Sequence, residues 1–599
     1  VSAVALVVGV GGGYKPSSDH ALTELQIRDI GRHPVLVGLY SRGTWSHPGP
    51  LLFYVLAPFY WLTGGAAIGM NLGSLAVNGG AIAGLAALAR RRGGAALAVC
   101  VLLACALFLR TGGGGFAHDP WNCFVPTLPF AAMVLLAWAM ACGDAWALPV
   151  GAAVASFLAQ AHVGFVALAL PLLGWGAAWL VVPAAVGAWR DRRGTPADRA
   201  GAGSEPDEPD EPAQPDGGDA PPGGRDERRR VWRAAALATG VLVLLWLPPL
   251  IDVLVNAPSN IREIVEWFTS GDEQPHTLGE GWRVVTAQLA LGPEWIAGKR
   301  PFTFGSGESP YLGSAPLPVL LVPAVAAAVA LWRWAGATGR RLVLTLALTL
   351  VLSIVAVART VGPAFDYRLR WTWVPGMLIV ATTAWAGWRT LDGSGRRRLE
   401  QAARVLVAAA VAGLGVLSAV NTVAAVRAGT PQGADSDIQA QLLEGALDAL
   451  PEGDGQVVVS DVFHNGAWYA RGLVLQLERR GVDARVPRHN EPLFGEHRVV
   501  DPDRPVRAHF VVGINRGIAD LAEQPDLELV TEWTAIGRER TDEIDAELAR
   551  LDADRFAGRV GEWEYAETGG HLARERHGDS EATAWAVAVF RYPDPPQPR

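Results

Sequence analysis

The sequence predicts a polytopic, mainly helical membrane protein with a C-terminal α/β domain. Three observations predict it. The 599 residues are 50% hydrophobic and 18% charged, with mean hydropathy +0.20, whereas soluble domains run nearer a quarter charged. Apolar runs of near-spanning length, about 20 residues, recur along the first 426 positions. After Gly429 those runs stop and charge density rises. An ordinary soluble enzyme is thereby excluded. The net charge of −8 leaves no basic footprint for nucleic acid, so no nucleic-acid partner is expected. Cys100, Cys105, Cys123 and Cys142 lie in or beside apolar runs without metal-site spacing. They read as membrane-core residues rather than a disulfide framework.

Taken in order, Val1 to Gly13 is apolar but too short to span, which reads as a late or trimmed start. Residues 14–47 are polar, and Ala21, Leu22, Leu25 and Ile30 space a short helix on the membrane surface. Pro48 and Pro50 open the apolar helix 51–62. Further runs follow at 66–89, 94–110, 124–142, 146–160, 163–188, 231–255, 315–334, 341–358, 371–388 and 403–426. That makes eleven or twelve spans at about 20 residues each. Residues 190–230, dense in Pro, Gly, Asp and Glu, read as a disordered cytoplasmic linker, and 256–312 as an outer loop. Residues 430–599 alternate as helix 435–449, strand 457–461, helix 466–480, strand 482–486 and strand 509–514. This alternation predicts an extracytoplasmic α/β domain beyond a membrane domain of 1–426.

Arginine placement sets orientation, since cytoplasmic loops carry the excess of Lys and Arg. Arg90–Arg92, Arg190–Arg193, Arg228–Arg230, Arg333 with Arg340–Arg341, and Arg396–Arg398 fall on the cytoplasmic side. Alternation then places 111–123, 160–162, 256–312, 359–370 and everything after 427 outside. A full crossing at 51–62 would invert this order, so that run is expected to be re-entrant, tilted or surface-lying.

Five polar constellations face outward on this topology. Asp19 follows the first run, with His20 and Glu24 in the next turn. A carboxylate there can take a proton from an incoming hydroxyl, or it can simply cap the helix. Arg42 and His47 precede the proline pair at headgroup depth, as a binding site or with Trp45 as an interfacial anchor. His118, Asp119 and Asn122 surround Pro120 and Trp121, reading as a cap-then-proline helix start or as a second acid on the same face. Gln160 and His162 sit between two apolar runs, lining a cavity or bonding helix to helix. Arg359, Tyr367, Arg368 and Arg370 lie outside, against the positive-inside bias. Guanidinium forks there suit a lipid phosphate, or a salt bridge to Asp366. No phosphate loop, hydrolase elbow or metalloprotease helix appears.

On these residues, the chain resembles the GT-C superfamily of membrane glycosyltransferases, in its protein-mannosyltransferase and aminoarabinose-transferase-like branch. Asp19 with Glu24, the His47–Pro50 stretch, Asp119–Asn122 and the many-span body with an outer domain carry the resemblance. It implies a GT-C-type helical bundle in a bacterial plasma membrane and a polyprenyl-phosphate sugar donor. It also implies inverting transfer to a cell-envelope glycan, lipid or protein. Asp19 and Glu24 would be catalytic. His20, His47, His118, Asp119, Asn122, Gln160 and His162 would bind substrate, and Arg359, Tyr367, Arg368 and Arg370 the lipid phosphate. A divalent cation is not required; Asp19 and Asp119 would hold one if it is used. The family often has a second acid beside the first, where His20 stands here. The Ala/Gly-rich composition, with Lys15 and Lys299 its sole lysines among 51 basic residues, suits an actinobacterial source. A flippase of lipid-linked sugar and a non-catalytic scaffold are the rival classes. The first requires inverted repeats and charges deep in spans, neither of which the sequence displays.

Overall fold

A computed structural model describes residues 2–10, 13–193, 225–270, 273–298, 308–461, 463–515, 517–577 and 586–596. Most of the linker expected at 190–230 falls outside the described residues. In hydrocarbon a backbone must satisfy its own polar groups, so apolar runs become helices. The chain forms α1 (Ser2–Val10), α2 (Ser18–Asp29), α3 (Leu51–Leu62), α4 (Ile68–Gly112), α5 (Thr127–Ala141), α6 (Ala147–Ala161), α7 (Val166–Arg193) and α8 (Arg225–Val255). It continues with α9 (Asn260–Ser270), α10 (Leu278–Thr286), α11 (Leu321–Trp334), α12 (Gly336–Ala358), α13 (Trp373–Asp392) and α14 (Arg397–Ala428). Among the described residues, five helices are long and apolar enough to cross a membrane by length and composition.

The 45 residues of α4 would extend roughly 68 Å as one rod, twice the bilayer core. Instead Gly94 breaks the helix at φ 76°, a conformation open to glycine, just after Arg90–Arg92. The two halves return to one end, where Asn71 and Asn78 meet the carbonyls of His118 and Ala117. At the far end Arg91 and Arg92 both bind Asp144, at 2.9 and 3.0 Å. Trp138 reaches the Thr338 carbonyl there, Trp385 reaches that of Gly93, and Arg341 lies over Trp179. The arginine-rich turns thus share one end of the bundle, as the orientation argument requires.

Helix α3 does not run between the ends. Gly49, just before it, meets the Gln160 carbonyl, while Tyr60 near its close bonds Glu24 at 3.0 Å. Both contacts lie at the end opposite the arginine turns. α3 therefore lies along that surface, and the inversion foreseen for a crossing at 51–62 does not arise.

Beyond Gly429, α15 (Gly433–Asp448) leads to β1 (Gln456–Asp461), α16 (Phe463–Arg479), β2 (Ala484–Arg485), β3 (Val506–Ile514), β4 (Glu528–Thr534) and β5 (Ala586–Arg591). The sheet order is β2-β1-β3-β5-β4, parallel across β2, β1 and β3 and antiparallel thereafter. Val457, Val459, Phe510, Val512, Val587 and Val589 are buried in its core. β4 and β5 join the three strands expected from sequence. The four cysteines are free.

One sheet residue gives a pH dependence. His509 in β3 sits 2.9 Å from the Ser460 hydroxyl and against Tyr592, and burial pushes its imidazole down to about 4. The unfolded chain then binds more protons between about pH 6.5 and 4. Stability is full above the unfolded value and falls as pH drops through that window. Thermal melting across it is expected to show this loss, and His509→Gln to flatten it.

Candidate active site

The end opposite the arginine turns gathers the predicted acids, and an uncharged ladder positions them. Asn71, Ser74 and Asn78 lie at helical spacing on one face of α4. They donate to the carbonyls of His118, Asp119 and Ala117 at 3.0, 2.7 and 3.0 Å. Three consecutive carbonyls of a glycine-freed loop are so pinned to a rigid helix. Sequence reading missed this ladder, although polar residues at i, i+3 and i+7 in an apolar helix were its signal. The Asp-Pro-Trp-Asn stretch does not start a helix as expected. It forms turns, and α5 begins only at Thr127. The physical reason is that Asp119 bonds its own chain two residues on, at the Trp121 amide (2.9 Å), a turn habit of Asp.

Asp119 also receives the His20 imidazole at 2.7 Å. Burial pushes His20 down, but the adjacent carboxylate overrides it and holds the ring above its usual range. Asp19 does not cap α2. Ser17 stands at the N-cap, its hydroxyl turned to Gln432 and Asp435 rather than to the helix, and Ser18 takes a left-handed φ of 48°. The Asp19 carboxylate instead accepts from the Trp121 indole at 3.0 Å and from Arg471 of α16 at 2.8 Å. Trp121 thus touches both acids, Asp119 through its amide and Asp19 through its ring.

Glu24 lies apart from this pair. It is fully buried, bonded by Tyr60 and clasped by Arg479. Asp29 is likewise forked by Arg498, at 2.6 and 2.8 Å. Three acids of α2 therefore each meet an arginine from beyond Gly429. Nothing local in the sequence announces these pairs, because more than 450 positions separate the partners.

The indole of Trp121 packs on Tyr367 (4.8 Å between centroids), which stacks on Phe365. Beside this turn lies a cavity of about 270 Å³, bordered by Arg42, Arg359, Arg368, His162, Trp45 and Trp371. Arg370 does not border it; it binds Asp366 at 2.6 Å and lies over Trp373. The salt-bridge alternative therefore describes Arg370 and not Arg368, two positions away. His47 and His162 pack together at 4.5 Å, and each accepts a backbone amide of the α6–α7 turn. Burial first, then the nearby Arg368, pushes His47 down to about 3; burial, then His47 and Arg368, holds His162 well below its usual value. Neutral rings leave the cavity's positive charge to the arginines.

Other predicted residues hold the scaffold. Pro249 has no amide to give the Leu245 carbonyl four residues back, and the Gln160 side chain supplies one at 2.8 Å. Asn122 donates to the Ala161 carbonyl at the close of α6, and His118 meets the Gly429 carbonyl. For metal, both oxygens of Asp19 and the Oδ1 of Asp119 already face N–H donors. Among the described residues, Asp29, His33 and His497 bring three ligand atoms within 4.8 Å. There the Arg498 fork already matches the charge of Asp29.

The arrangement offers a carboxylate at 30% side-chain exposure, a second acid paired to histidine, and an arginine-lined cavity joined to them through Trp121 and Tyr367. Such a set can take a proton on one side and hold an anion on the other. No family model matches the chain, and no curated protein matches it. Among solved structures it is similar to ArnT from Cupriavidus metallidurans bound to undecaprenyl phosphate, with TM-score 0.47, 13% identity, and coverage of 89% of this chain and 95% of that one. The same protein in the apo state gives TM-score 0.45, 12% identity, and 88% and 95% coverage.

Proposed function

We propose that the chain is an inverting glycosyltransferase that moves a sugar from a polyprenyl-phosphate donor to an acceptor at the extracytoplasmic face of a bacterial plasma membrane. The acceptor is a cell-envelope glycan, lipid or protein. The observation that carries this reading is the cavity bordered by Arg42, Arg359 and Arg368 at the same end of the bundle as Asp19 and Asp119. An apolar bundle whose non-cytoplasmic end carries three guanidinium groups suits a lipid-borne phosphate. Outside the cytosol, a lipid-carried donor meets the need that nucleotide sugars meet within it.

In this mechanism Asp19 takes the proton of the acceptor hydroxyl as its oxygen attacks the anomeric carbon. The bond from that carbon to the donor phosphate breaks, and its electron pair leaves on the phosphate oxygen. Arg42, Arg359 and Arg368 stabilise the resulting charge. Asp119 with His20 accepts and donates to sugar hydroxyls, and Glu24 keeps α2 in place. His47 and His162, held neutral, shape the cavity wall.

Arg368→Gln tests the anion site. A hydrogen bond to a charged group is worth about 1.5–3 kcal/mol, so the KM for a polyprenyl-phosphate sugar is expected to rise about 10- to 100-fold. Arg370→Gln serves as the comparison, since its partner is Asp366. A donor KM that Arg368→Gln leaves unchanged in transfer assays on membranes would overturn the assignment.

A further inference from the structure

The three clasps between α2 and the segment beyond Gly429 are unequal. Glu24 is shut away from solvent, and the Asp29–Arg498 side chains are 6% and 4% exposed. The Asp19–Arg471 pair is 30% and 17% exposed. Two clasps therefore anchor, and the third borders the open site. That third clasp is at odds with catalysis. One oxygen of Asp19 faces Arg471 and the other the Trp121 indole. Both oxygens are thus occupied, and the guanidinium stands where an acceptor hydroxyl must arrive.

Arg471 bonds Asp19 through a single terminal nitrogen, and its Nε is buried with no partner. A guanidinium that uses one tip of its fork has another edge for a planar anion. Moving a partly buried arginine off its carboxylate without a replacement anion is costly, since it strands both charges. The exchange becomes near-neutral if the incoming molecule brings its own negative group.

We propose that Arg471 is an exchangeable counter-ion that recognises an anionic acceptor. It caps Asp19 in the resting protein, transfers to a carboxylate or phosphate of the acceptor, and so frees Asp19 beside the hydroxyl to be glycosylated. This deepens the transferase reading and rests on it. Arg471 is a positioning residue; no bond forms or breaks at it. The other groups around Asp19 are His20 on its own helix, Asp119 and Cys123 from the loop before α5, and Tyr367. Asp461 and Asn490 border a small cleft with Arg471 on its own segment.

The test uses the full chain in lipid nanodiscs. Calorimetry at fixed pH measures the binding of glucuronate and glucose, the anionic and neutral probes. Asp19→Asn removes the charge that Arg471 now faces, so it is expected to bind glucuronate about tenfold more tightly than the unaltered protein and to leave glucose unchanged. Arg471→Gln is expected to lose the preference for glucuronate over glucose, and Arg471→Lys to keep part of it. Equal affinities for the two probes in the unaltered protein overturn the proposal. So does a glucuronate preference that persists in Arg471→Gln. The binding measurement needs no turnover. Binding as expected without sugar transfer would sink the transferase reading, whereas transfer without a glucuronate preference would sink only the role of Arg471.

Discussion

Replacing Asp19 by Asn lowers sugar transfer about 10²- to 10⁴-fold, the usual contribution of a positioned general base. The effect falls on kcat, because the amide keeps nearly the same volume and can still accept the Trp121 indole hydrogen now held by the carboxylate. Folding is expected to survive, since Asp19 is the most exposed of the α2 acids that meet an arginine. Transfer from a polyprenyl-phosphate sugar in membranes, with a melting curve on the same preparation, checks both halves. A normal rate in a normally melting Asp19→Asn protein would remove this residue from the chemistry and with it the proposed mechanism.

The second large effect concerns stability. Arg479→Ala strands Glu24, which has no exposure to water and keeps the Tyr60 hydrogen bond and the more distant charge of Arg28. Breaking a buried pair from one side costs about 3–5 kcal/mol. Burial already raises the Glu24 carboxyl even with Arg479 present, so a neutral side chain there is tolerated far better than an unpaired charge. Thermal melting is expected to drop sharply in Arg479→Ala and to recover in large part when Glu24→Gln is added. Equal melting of single and double variants would show that the guanidinium holds α16 through the Gly65 carbonyl and packing instead.

Much of the architecture was readable because membrane solvent leaves the chain few options. Apolar runs had to become helices, and the arginine turns had to sort to one end. The shared end of Asp19, Asp119 and Arg368 followed from that sorting. What could not be read depended on pairing across long stretches of chain. Arg471, Arg479 and Arg498 look like any surface arginines until the fold sets them on α2. Arg368 and Arg370 are indistinguishable by type and spacing, and only the tight turn at 366–372 sends one to the cavity and the other to Asp366. Gln160 read as a cavity residue because the carbonyl released by Pro249 lies 85 positions later. The Asp-Pro-Trp-Asn stretch misled for a local reason: the same Asp chemistry that caps helices also closes turns.

That α3 lies flat has a bearing on how this architecture can change over time. Leaving aside α3, α9, α10 and the shorter helical turns, ten helical segments lie between α2 and α15 among the described residues, counting α4 as two. The number is even, and α2 and the C-terminal arginines meet at one end of the bundle. Gain or loss of a single pass would strand the C-terminal arginines across the bilayer from the acids they hold. Only paired insertions or deletions of passes keep the two halves in reach, which confines variation in this lineage to whole hairpins and to loops.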